Sequence, residues 1–181
     1  MIKALGVKAY HFSIAWTRVL PDGTGRPNLS GLDFYNRLVE VLVANGIEPY
    51  ATLYHWDLPQ ALQDRVGDWQ SSDTSKAFAN YAACVAERLA DRVSNVFIVN
   101  EVGRFVNLGY GWGIDVPGLK LPTAQLNQAR HHVPFAHGLA LQAIRASGRA
   151  GTRVGPAENI AAYVPAIATP EKHPCCGDCD A

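Results

Sequence analysis

Apolar positions along this chain follow two rhythms in alternation. Short apolar runs recur at 7–15, 47–54, 96–99 and 152–157, as expected of strands, and the run at 96–99 can be buried on both faces. Between them apolar residues recur at i, i+3 and i+4. Phe34, Tyr35, Leu38, Val39, Leu42 and Val43 make one helix face, with Ser30 as the cap and Asn45-Gly46 as the stop. Ser72 or Asp73 caps a second helix carrying Phe78, Tyr81, Val85 and Leu89 on one side. A third runs from about Gln125 to Ala146 and is closed by Gly148. Pro134 falls inside it, where a lost backbone bond would kink the helix at a cost of about 3 kcal/mol. Residues 1–5 read as a helix tail ended by Gly6.

Strand and helix alternate throughout, which predicts an α/β fold of parallel βαβ units with right-handed crossovers. Strand-to-helix connections are long (16–29, 55–71, 102–125) and helix-to-strand connections are short. Long loops at the carboxyl ends of parallel strands are where such folds place their sites. The candidates are therefore His11, Ser13 and Trp16; His55, Trp56 and Asp57; Asn100 and Glu101; Glu158 and Asn159. The run Val96-Phe97-Ile98-Val99-Asn100-Glu101 is the most telling. Burying its amide and carboxylate unpaired would cost several kcal/mol, so they belong at the strand's mouth. The plainer alternative is a strand that simply ends in polar residues.

Composition narrows the picture. The chain has 181 residues, 48% hydrophobic and 18% charged, with 16 basic and 16 acidic side chains, so it has the make-up of one globular domain. Zero net charge and no basic stripe argue against nucleic acid and anionic membranes. No apolar run approaches the ~20 residues of a membrane helix, and the start does not read as a signal peptide, so a cytoplasmic chain is expected. Cys84 reads as a small core residue. No glycine-rich phosphate loop follows a strand, which counts against nucleotides.

Trp, His, Asn and carboxylates without cationic clusters suit a neutral polyhydroxylated ligand: indoles stack on sugar faces and the polar groups bond hydroxyls. Glycoside hydrolysis usually takes two carboxyl groups, ~5–5.5 Å apart for retention and ~6.5–9.5 Å for inversion. Glu101 is the best single candidate for general acid, and Asn100 beside it for bonding the sugar 2-hydroxyl. Asp57 and Glu158 are candidates for the second carboxylate. A cap or loop bond would equally explain Asp57, and a structural pairing Glu158.

The stretches Leu5-Gly6-Val7-Lys8-Ala9-Tyr10, Phe12-Ser13-Ile14-Ala15-Trp16, Leu20-Pro21-Asp22-Gly23-Thr24-Gly25, Gly31-Leu32-Asp33-Phe34-Tyr35-Asn36 and Thr52-Leu53-Tyr54-His55-Trp56-Asp57-Leu58-Pro59-Gln60 resemble the β-glucosidases of glycoside hydrolase family 1. So do Asn100-Glu101, Gly109-Tyr110-Gly111, Pro117-Gly118 and His131-His132. The resemblance runs in register to about residue 171 and implies a (β/α)8 barrel that cleaves terminal β-glucosides with retention, using no cofactor or metal. Glu101 matches the acid/base, Asn100 the residue bonding the 2-hydroxyl, and His55 and Trp56 sugar contacts. This chain resembles strands two to five of that barrel, as a partial domain over residues 1–168. The family's nucleophilic glutamate has no counterpart here, and Glu158 is not that residue. His11 stands where the family has arginine, Val102 where many members have proline, and Pro134 is foreign to its helix.

Four strands cannot close a barrel, so both edges would keep unpaired backbone groups. A marginal, self-associating or misfolded chain is expected. The alternative to an enzyme is an inactive barrel remnant that binds sugar weakly or associates through those edges. Residues 169–181 read as a disordered tail, although His173, Cys176 and Cys179 have spacing that could contribute to a zinc site.

Overall fold

A computed structural model describes residues 2–147 and 150–160. Its four strands are β1 (Ala9–Ser13), β2 (Glu48–Tyr54), β3 (Asn95–Asn100) and β4 (Arg153–Ala157). They form one parallel sheet in the order β1-β2-β3-β4, with His11 opposite Tyr50 and Tyr50 opposite Asn95. Sheet order equals chain order, so each unit is laid beside the last without reversal. That is how a barrel wall is wound; a doubly wound sheet turns back at a switch point.

The helices are α1 (Trp16–Val19), α2 (Leu29–Ala44), α3 (Gln60–Val66), α4 (Ser72–Leu89), α5 (Val102–Phe105) and α6 (Thr123–Ser147). Three expectations change at the helix starts. Ser30 lies inside the first turn of α2; Asn28 takes the cap position and donates its amide to the Arg18 carbonyl at 3.1 Å. The cap of α4 is Ser71, whose hydroxyl accepts the Asp73 N–H at 3.2 Å. The 1–5 segment is a 3-10 turn over Ile2–Leu5, and Gly6 follows with φ +71°. α6 continues through Pro134; its expected stop, Gly148, lies outside the described residues.

The long loops are also less irregular than the sequence suggests. The 55–71 connection holds α3 and a 3-10 turn at Asp68–Gln70, and the 102–125 connection holds α5 and a π-helix at Val106–Trp112. Each piece is pinned by one or two buried anchors, Leu62, Trp69, Phe105 and Tyr110 among them. Such short pieces carry too few apolar positions to reveal a period.

One face of the sheet is fully covered. Ile14, Ala51, Leu53 and Ile98 form a continuous core with Phe78, Tyr81, Val85 and Leu89 of α4 and with Ala136, Ala140 and Ile144 of α6. Trp16 stacks on Tyr81 with centroids 5.3 Å apart. The Tyr81 hydroxyl lies 2.8 Å from the Ile14 carbonyl and 3.0 Å from that of Leu53, stitching β1 to β2 at their carboxyl ends. The other face is open. His11 and Ser13 are exposed, and the rings of Tyr50 and Phe97 stack 6.2 Å apart with only partial cover. The strand at 96–99, which the sequence allows to be buried on both faces, is fully covered on one side only: Ile98 and Val99 are buried while Phe97 is partly exposed on the side where no described element packs.

Candidate active site

Parallel strands deliver all their carboxyl ends to one rim. At the end of β2 the chain turns sharply, with Trp56 at φ +79°. That left-handed conformation is costly for a bulky side chain. Trp56 is held there by its indole N–H, which donates to the Asn100 carbonyl at 2.9 Å. The His55 ring meets the Trp56 indole edge-on at 5.5 Å, and the Asn100 amide nitrogen lies 3.4 Å from His55 Nε2. His55, Trp56 and Asn100 thus form one contiguous group across β2 and β3.

Glu101 is the next residue and also left-handed, at φ +46°. Its N–H donates to the Ala157 carbonyl at 2.7 Å, and its carbonyl accepts from Arg104 and Phe105 at 3.0 and 3.1 Å. Its carboxylate lies 3.6 Å from Arg104 Nε, on partly exposed side chains where screening leaves such a pair worth little. Glu101, Arg104, Asn107, Trp112, Glu158 and Asn159 line an open cleft. A second cleft on the Trp56 side is lined by Tyr54, Trp56, Asp57, Phe105 and Tyr110. Gly109 lets the loop that follows the π-helix fold back closely on it: a Cβ there would meet the Val116 carbonyl at 2.5 Å.

The remaining candidates divide. Asp57 is half-buried, and its Oδ2 is buried with no hydrogen-bond partner among the described residues. Burial pushes its carboxyl up; the backbone N–H groups of Asp57, His55 and Trp16 and the His55 imidazole pull the other way. Glu158 is engaged, its Oε1 accepting the Val102 N–H at 3.1 Å. His11 sits on the open inner face with Nε2 2.5 Å from the Thr52 hydroxyl and its ring edge-on to Phe97. Burial lowers its pKa, and repulsion from His55 lowers it further. Ser13 shares that face, away from the covered core. Trp16 is corrected outright: it is fully buried among Trp69, Phe78 and Tyr81, so no ligand can reach it. Arg104, Asn107 and Trp112 were not expected. Arg104 had a signal, since i, i+3 spacing from Glu101 pairs them once a helix starts at Val102. The tail candidates His173, Cys176 and Cys179 lie outside the described residues.

Comparison with known proteins gives this geometry a lineage. Beta-glucosidase A of Acetivibrio thermocellus is 42% identical over 166 residues, covering 92% of this chain and 36% of that protein. The beta-glucosidase of Agrobacterium sp. is 48% identical over 145 residues, covering 80% and 31%. The solved beta-glucosidase of Thermotoga maritima in complex with deoxynojirimycin superposes with a TM-score of 0.88 at 39% identity, covering 94% of this chain and 38% of that one. The chain therefore spans about a third of the length of the relatives it matches, and its four parallel strands with their crossover helices are part of a (β/α)8 barrel. With the family model for glycosyl hydrolase family 1 matching residues 1–174, this chain belongs to that family.

Proposed function

We propose that this chain carries the acid/base part of a retaining β-glucosidase site. Glu101 protonates the departing glycosidic oxygen and then takes a proton from the water that releases the sugar. Asn100 bonds the sugar 2-hydroxyl, and His55 and Trp56 hold the glucosyl ring. The observation that carries this reading is the rim cluster itself. Glu101 follows directly on Asn100, whose amide and carbonyl meet His55 and Trp56. Both Trp56 and Glu101 keep strained backbones, and such strain persists where the surroundings over-determine it, commonly at functional sites. The relatives named β-glucosidases point to the substrate class.

Retention needs a second carboxylate ~5–5.5 Å from the first. The resemblance gives neither Asp57 nor Glu158 that role, and the family's nucleophilic glutamate has no counterpart in the 181 residues. This favours the second reading for the 181-residue chain by itself: recognition of sugar without turnover. One graft tests both. The aligned segment of the Thermotoga maritima enzyme is replaced by this chain's. The graft is expected to hydrolyse an aryl β-glucoside and to lose about 10²–10⁴ in kcat on Glu101→Gln, while the 181-residue chain shows no turnover. A folded graft indifferent to Glu101→Gln contradicts the assignment.

A further inference from the structure

We propose that Glu158 is a positioning residue for Glu101, holding the strained turn that presents it to the cleft; the proposal rests on the acid/base reading of Glu101 given above. Ala157 and Glu158 are consecutive residues at the end of β4, and they grip consecutive amides. The Ala157 carbonyl accepts the Glu101 N–H at 2.7 Å, and Glu158 Oε1 accepts the Val102 N–H at 3.1 Å. The two bonds bracket the one peptide that must stay left-handed, with Glu101 at φ +46° and ψ +62°. A non-glycine residue is strained there, and it stays only where neighbours leave no alternative. The Val102 N–H opens a short helix and has no partner within it. Without Glu158 the turn would keep the Ala157 bond and lose its second anchor. It could then relax towards a right-handed conformation and swing the Glu101 carboxylate from its place in the cleft.

The surroundings fit a fixed anchor. Glu158 lines the same cleft as Glu101. His137 of α6 is within electrostatic reach of Glu158: burial lowers the imidazole pKa, and Glu158 acts against that shift. Arg104, the other charged group at the turn, is directed at Glu101. One oxygen of Glu158 is therefore committed to the backbone.

The test uses TROSY spectra of the perdeuterated 181-residue chain, which tolerate a monomer or a small oligomer. In Glu158→Leu, exchange of the Val102 amide is expected to accelerate at least about tenfold, the factor for one ordinary hydrogen bond. The Glu101 Cα and Cβ shifts are expected to leave their left-handed values. Glu158→Gln keeps an acceptor and is expected to retain both signatures. Glu158→Asp keeps the charge but withdraws the acceptor, and is expected to behave like the leucine variant should that one fail to fold. Glu101 shifts that stay left-handed when the Val102 amide is freed would overturn the proposal, as would an amide equally protected in all variants. None of these readouts requires sugar cleavage, so they stand apart from the graft.

Discussion

The two faces of the sheet are built from similar residues and live under different conditions. On the outer face Trp16, Phe78 and Tyr81 are fully buried, and every ring meets two or more others. On the inner face Tyr50 stacks on Phe97, which meets the His11 ring edge-on, yet no described element covers them. The outer face is complete within this chain, because α4 and α6 come with the strands. The inner face is the wall of a barrel whose remaining wall lies in the other two thirds of the relatives' length. Local stability and site assembly are therefore separable: the helices secure the strands, and the strands hold half of a mouth.

That difference can be broken by one ring at a time. Phe78→Ala is expected to cost about 3–5 kcal/mol, the usual range for a fully buried aromatic. Phe97→Ala should cost less than about 1.5 kcal/mol, since much of the transfer free energy was never gained. Chemical denaturation of both variants checks this, and equal costs would mean that the inner face is covered in solution. Association comes next in size. The uncovered rings and the free edge of β1 are expected to draw copies together. Sedimentation velocity should show mass above that of one chain, decreasing in Phe97→Lys; a stable dilute monomer would argue against it. The smallest effect is at the rim, where the two faces meet. Burial raises the Asp57 carboxyl above its ordinary 3.8, so between that value and the raised one the fold binds more protons than the unfolded chain. Stability then falls as pH rises through this window and stays reduced above it. Asp57→Asn removes the slope, so its Tm relative to the parent should be higher at pH 7 than at pH 4. A constant difference across that range would show that the backbone N–H groups fully offset the burial.

Much of this architecture was legible in the chain. Parallel order followed from alternation, and the rim followed from where the loops were long. The helix caps were misplaced by one or two residues, because Asn28, Ser30, Ser71 and Ser72 are all credible caps and tertiary contacts choose among them. Trp16 was misjudged because a tryptophan just past a strand suits a ligand wall and a core equally well; only the α4 rings decide. The role of Glu158 was out of reach. Its bond to Val102 joins residues 56 apart across neighbouring strand ends, and no periodicity encodes that.

The central claim is that Glu101 handles the proton of the departing oxygen. The measurement closest to it is leaving-group dependence in the graft carrying Glu101→Ala. Glucosides of acidic phenols, which depart without help, should lose about tenfold or less in the first step. Alkyl glucosides, which need the proton, should lose about 10²–10⁴. A loss of the same size for both classes would contradict the account, since it would assign Glu101 to holding the sugar rather than to proton transfer.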